Sequence, residues 1–222
     1  MIAPDTLSST TPLVIPCEHG QLHGSLALLP DARGIVVLAH TLQALDHRDG
    51  ALAAELNDVG YSTLNADLLT HEEERFPDVQ HNVPLLAKRL LAFLGTLHHA
   101  VQTGEIPAQP IGLFGTNATT PVVVRIAAQR DHDITAVICR GGMIDLAGIL
   151  YLHTLNSPLL LLHEQSDTAG IAANRRALQE INGCKELKLI PDIGLEFFDT
   201  PGFKALSFET ANWLRQHLVP SE

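Results

Sequence analysis

The feature that most constrains this chain is an alternation of two kinds of segment. "GIVVLAH" (34–40), "PIGLFG" (110–115), "ITAVICRGG" (134–142) and "PLLLLHE" (158–164) are short and apolar almost from end to end. A strand that is apolar on both sides is buried on both sides, as an inner strand of a parallel sheet is. Between these runs lie longer stretches with apolar residues three and four apart, the spacing of a helix face. One spans Arg48 to Val59 and stops at Gly60; another spans Pro84 to Val101; a third spans Ile171 to Ile181 and stops at Asn182-Gly183. Strand and helix in turn predict an α/β fold, a mostly parallel sheet covered by helices on both faces. "YSTLNADLL" and "KELKLIP" add further strands, and "FKALSFETANWLRQHL" a terminal helix with Phe203, Leu206, Trp213 and Leu214 toward the core. Asp145 to Leu152 reads as one short amphipathic piece. At the amino end, "TPLVIPCE" and "LHGSLALLP" flank His19-Gly20 and read as a hairpin.

The chain has 222 residues, 45% of them hydrophobic, enough for one domain with a sizeable core. No Pro/Gly/Ser-rich linker or fixed-period repeat divides it, so a single domain over 1–222 is expected, with 1–10 a flexible lead. Net charge is −11 and no basic cluster stands out. Nucleic acid and anionic membrane surfaces both require a positive face, so neither is an expected partner. Cys17, Cys139 and Cys184 are odd in number and far apart. That spacing suits buried free thiols in a reducing cytoplasm, not a disulfide framework or a zinc site. The apolar runs are too short to span a bilayer, and the first residues lack the basic start and apolar stretch of a signal peptide. Of the twelve histidines only His19 and His23 stand in H-x-x-x-H spacing, at the expected hairpin turn, and no metal or cofactor is expected.

In a parallel sheet, ligands bind beyond the carboxyl ends of the strands. That singles out His40, Thr41, Asp67, Thr116, Asn117, Ala118, Arg140, His163 to Asp167 and the loop Pro191 to Phe198. The corner after "PIGLFG" reads Gly115-Thr116-Asn117-Ala118-Thr119, with Pro121 placed for the first turn of a helix. This is the layout of a nucleophile elbow, G-x-S-x-G, with asparagine for serine and threonine for the second glycine. Asparagine tolerates the positive φ that such a corner needs better than other non-glycine residues. Other polar features have plainer readings. Cys139 lies within a strand and reads as a buried thiol. Arg140 reads as a brace on carboxylates such as Asp145, and Glu72-Glu73-Glu74 as a solvated face or a helix's first turn.

Taken together, "GIVVLAH", "LNDVGYSTLNADLLTHEEE", "IGLFGTNAT", "AVICRGGMIDLAG", "SPLLLLHEQSD" and "IPDIGLEFFDTPG" resemble the dienelactone-hydrolase-like branch of the α/β hydrolases over nearly the whole chain. The resemblance implies an α/β-hydrolase fold and a triad whose acid falls on Asp167, nucleophile on Asn117 and histidine on or near Leu195. No histidine lies between His163 and His217. A carboxamide cannot be the nucleophile of covalent acyl transfer. The expectation is therefore a hydrolase-like protein with a degraded triad. It would keep a pocket for a small carboxylate, ester or lactone-like ligand, lined by His40, Thr41, Thr116, Asn117, Ala118, Arg140 and His163, or act through protein contacts. The alternative is an active hydrolase in which Asp167, His40 or His163 activates a water. A homo-oligomer formed through an edge strand or the terminal helix is also open.

Overall fold

The structure is a computed structural model and describes residues 9–41, 47–130, 132–193 and 200–218. Its centre is an eight-stranded sheet of order β1-β2-β4-β3-β5-β6-β7-β8. The strands are β1 (Ser9–Cys17), β2 (Gly20–Leu28), β3 (Ile35–His40), β4 (Ser62–Asp67), β5 (Ile111–Thr116), β6 (Ile134–Arg140), β7 (Leu159–Glu164) and β8 (Lys185–Ile190). β1 and β2 form the expected antiparallel hairpin, Cys17 opposite Gly20, and β2 runs antiparallel to β4. From β4 to β8 every pairing is parallel. β1 begins at Ser9, so the last two residues of the expected flexible lead belong to the sheet.

The period-two alternation of a strand distributes the apolar runs between two cores. Val37, Leu113, Val137 and Leu161 face one side, where they meet Leu86, Leu90, Phe93 and Leu97 of α2 (Val83–Gln102) and Val122, Val123 and Ile126 of α3 (Thr120–Gln129). Val36, Leu38, Ile138, Leu160 and Leu162 face the other, against Leu52 and Leu56 of α1 (His47–Asp58) and Leu206, Trp213 and Leu214 of α6 (Pro201–His217). Both faces are thus covered, which is why the inner strands contain so few polar residues.

Helix starts follow local chemistry. Asn82 caps α2 by accepting from the Leu85 amide (3.2 Å), with Pro84 in the first turn. Thr200 accepts from the Phe203 amide ahead of α6. α5 (Thr168–Ala177) begins earlier than the apolar spacing suggested, because Asp167 caps it through the Gly170 amide at 2.9 Å. The piece expected over Asp145 to Leu152 is broken in two: a 3-10 turn, Ile144–Ala147, then α4 (Ile149–Thr154). Gly148, at φ 102°, makes the break.

Candidate functional site

Register brings the strand exits into one row. His40 lies opposite Asp67, Ala39 opposite Gly115, Thr116 opposite Arg140, Arg140 opposite Leu162, and Glu164 opposite Ile190. The strand-end residues singled out from sequence therefore share one shelf, while 194–198 of the loop lie outside the described residues. At its middle, Asn117 takes φ 48° and is exposed, at the head of a 3-10 turn (Asn117–Thr119) that feeds α3. Thr116 and Ala118 beside it are half-buried.

The corner is held by its neighbours. A Cβ on Gly115 would sit 2.7 Å from Val123 Cγ2 and 2.9 Å from the Thr119 carbonyl, so the strand can approach α3 only as glycine. Thr119 stands where an elbow has its second glycine, and the structure shows why a side chain fits. Its hydroxyl accepts from the Thr116 amide (2.8 Å) and donates to the Ala39 carbonyl (2.8 Å), tying the corner to β3. Thr119 and Thr120 are both fully buried. Gly141 and Gly142, at φ 61° and 69°, press on the corner from β6. A Cβ on Gly141 would lie 2.6 Å from Asn117 Oδ1, and one on Gly142 would collide with the Asn117 carbonyl. The "RGG" exit is thus a backbone that only glycines can form against Asn117.

Behind it lies a residue the sequence reading missed. Asn174, on α5, is fully buried. Its Oδ1 accepts from the Ile144 amide (3.0 Å) while its Nδ2 donates to the Gly142 carbonyl (2.7 Å) and faces His163 Nε2 (2.7 Å). Because Oδ1 is committed to an amide, Nδ2 is the group that meets the imidazole. Nε2 must then offer a lone pair, so His163 is the neutral Nδ1–H tautomer, and it donates to Asp167 Oδ2 at 3.0 Å. His163 has no exposed surface, so both ring nitrogens are engaged inside the protein. A signal for Asn174 existed: it lies three residues after Ile171 and three before Ala177, a polar residue on an apolar stripe.

Arg140 pairs with Glu164 (2.7 Å), across the strand pair, whereas Asp145 is exposed. Glu164 Oε2 also accepts from the Ile193 amide (3.3 Å). His40 is buried, its Nε2 3.3 Å from Asn65 Oδ1, and Thr41 follows it, also buried. Burial pushes the Cys139 thiol far above its usual range, which leaves it a core group. Leu195 lies outside the described residues. Among the described residues, no group of three or more His, Cys, Asp or Glu could hold a metal ion, and no helix is long and apolar enough to cross a membrane.

The acidic run heads a 3-10 turn, Glu73–Arg75, as one of its two expected readings had it, but Glu73 itself is not solvated. Glu73 is buried and takes a two-pronged ion pair from buried Arg89 (2.6 Å on each prong), while the Thr70 amide donates to it at 3.0 Å. Arg89 also donates to the Leu68 carbonyl (2.8 Å). Burial alone would raise the Glu73 carboxyl. The bonds from Arg89 and Thr70 outweigh it and hold the group at about 2. The pair staples the turn that follows β4, next to Asp67 on the shelf.

A sheet of this order, with a positive-φ corner between β5 and α3 at its carboxyl edge, defines the α/β-hydrolase fold. Its form is dienelactone-hydrolase-like. The solved dienelactone hydrolase of Anabaena variabilis is 29% identical and superposes with a TM-score of 0.83, covering 95% of this chain and 99% of that one. Est1E of Butyrivibrio proteoclasticus shares the fold at 13% identity, with a TM-score of 0.72 over 92% of this chain and 98% of its own. Among curated proteins, a provisionally named phosphoribosyl transferase from two strains of Mycobacterium tuberculosis is 33% identical over 198 residues, 88% of this chain. The chain spans only 44% of those relatives' length. No protein-family profile matches it.

Proposed function

We propose that this chain is a dienelactone-hydrolase-like protein that lacks serine-type acyl transfer and uses the shelf around Asn117 to bind a small carboxylate, ester or lactone-like molecule, or to make protein contacts. The observation that carries this reading is Asn117 itself, a carboxamide at φ 48° on the corner where the fold sets its nucleophile. It has no ionisable proton and no useful nucleophilic lone pair. In this reading Asn117, Asp167 and Leu195 are the vestiges of a triad. Asp167 serves instead to cap α5 and orient His163. His40, Thr41, Thr116, Ala118, Arg140 and His163 frame or support the pocket. Three cysteines free of disulfides support a reducing, cytoplasmic setting. We assign any phosphoribosyl transfer by the mycobacterial relatives to the larger part of their length that this chain does not match, because the matched part has a hydrolase fold.

The test pairs two assays on the purified protein. A fluorophosphonate probe should leave it unlabelled, and short p-nitrophenyl esters should hydrolyse at the background rate. A labelled hydroxyl on the shelf would end this reading. In parallel, small carboxylates and lactones should raise its melting temperature in a saturable way, since a ligand held only by the folded state stabilises it. One observation favours a second reading, water-based hydrolysis: the His163–Asp167 hydrogen bond has the form of a base and its orienting acid. It requires ester turnover that Asp167→Asn abolishes. The burial of His163 and the occupation of its Nε2 by Asn174 weigh against it.

A further inference from the structure

The parallel strands have a second end. Ile35, Ile111 and Ile134, the first residues of β3, β5 and β6, floor a cavity of about 330 Å³ that opens between α2 and the end of α3. Leu97 and Val101 of α2 form its wall. Strands of six or seven residues separate it from the Asn117 shelf, a distance of roughly 20 Å. The volume falls at the lower end of the range that holds small-molecule ligands.

The polar groups at the rim are mostly committed. Arg130 is neutralised by Asp133, with Nε 2.8 Å from the carboxylate. His98 faces Gln102 at 2.8 Å, and the Thr135 hydroxyl donates to the Ile111 carbonyl at 3.3 Å. Gln109 differs. The residue lines the cavity, and its Oε1, which has no exposed surface, meets no donor among the described residues. A buried acceptor left unmet costs on the order of 1–3 kcal/mol, so it favours a ligand that brings a donor. In the described lining the guanidinium of Arg130 is paired with Asp133 and so is not free to attract an anion.

From this combination we infer that the cavity is a binding site, distinct from the Asn117 shelf, for a small neutral aromatic or alicyclic molecule bearing a hydroxyl. The ring packs on the isoleucine floor, and the Gln109 amide turns into the cavity so that Oε1 accepts from the hydroxyl. The probes are 2-naphthol and naphthalene, which share a ring system and differ in the hydroxyl. Titrated into isotope-labelled protein, 2-naphthol should shift the amides of residues 94–101, 109, 111 and 132–135 saturably and leave those of 116–118 unmoved. Gln109→Leu should weaken 2-naphthol about tenfold, the worth of one buried hydrogen bond, and leave naphthalene unchanged. Val101→Trp, which fills the cavity, should abolish both. Should Val101→Trp fail to fold, the Gln109→Leu comparison still decides. The inference fails if 2-naphthol gives no saturable shift at the cavity, if its shifts map to the shelf instead, or if Gln109→Leu binds it as the native chain does.

Discussion

The corner at Asn117 and the structure that supports it differ in kind. The corner is exposed and presents an amide to solvent. Its support is buried and polar: Asn174 bonds to two backbone groups and an imidazole, and Thr119 spans two strands. The turn after β4 is built the same way, on the two-pronged ion pair of Arg89 and Glu73. Buried polar groups persist only where partners meet them, since each unmet group costs free energy. The positive-φ corner therefore rests on neighbours that over-determine it. Stability and chemistry are therefore separable here: the supports hold the shape whatever group sits at position 117.

Removing a buried partner should have the largest effect. Arg89→Met leaves the Glu73 carboxylate buried without its cation and should cost about 3–5 kcal/mol in urea unfolding. The pair also predicts a pH dependence. The folded Glu73 carboxyl lies at about 2, below its usual 4.5, so its contribution is complete above about 4.5 and is lost as pH falls toward 2. That loss should amount to about 3 kcal/mol at most. It should vanish in Glu73→Gln, and acid titration of both proteins checks it. Next in size, Asn174→Leu leaves the Ile144 amide, the Gly142 carbonyl and His163 Nε2 without a shared partner. A loss of about 3 kcal/mol is expected in the same unfolding assay. Gly142→Ala should cost about 1–3 kcal/mol, because alanine resists φ 69° and its methyl would strike the Asn117 carbonyl. If these variants instead change stability by less than about 0.5 kcal/mol, the corner does not depend on its support.

The sheet was legible because its information is local. Runs such as "GIVVLAH" and "PLLLLHE" report burial on two faces, and the glycines that end "PIGLFG" and "ITAVICRGG" report turns. Asn117 was legible for the same reason: a corner motif lies within five consecutive residues. The support was not, because its partners come together only when the chain folds. Glu73 reaches Arg89 sixteen residues on, and Arg140 reaches Glu164 twenty-four residues on. In sequence, Glu73 is one of three adjacent glutamates, and nothing local distinguishes the buried one from its neighbours. The division of Asp145 to Leu152 was missed for a subtler reason. A lone glycine inside an apolar spacing does not by itself announce a break, and only its φ of 102° shows that it makes one.

The smallest expected effect tests the corner itself. Asn117→Ser restores the hydroxyl but puts a residue less tolerant of φ 48° at the turn, so it should destabilise by less than about 1 kcal/mol. It should also gain nothing in ester hydrolysis. A serine hydroxyl attacks only when a base removes its proton, and the imidazoles beside this shelf are committed. His163 Nε2 meets Asn174 inside the core, and His40 Nε2 lies against Asn65. Neither can turn toward residue 117 without breaking a buried contact. Turnover of p-nitrophenyl acetate by Asn117→Ser should therefore match that of the native chain. A burst of p-nitrophenol with labelling of the new serine would show that a base stands ready at this corner, and that asparagine alone withholds the chemistry.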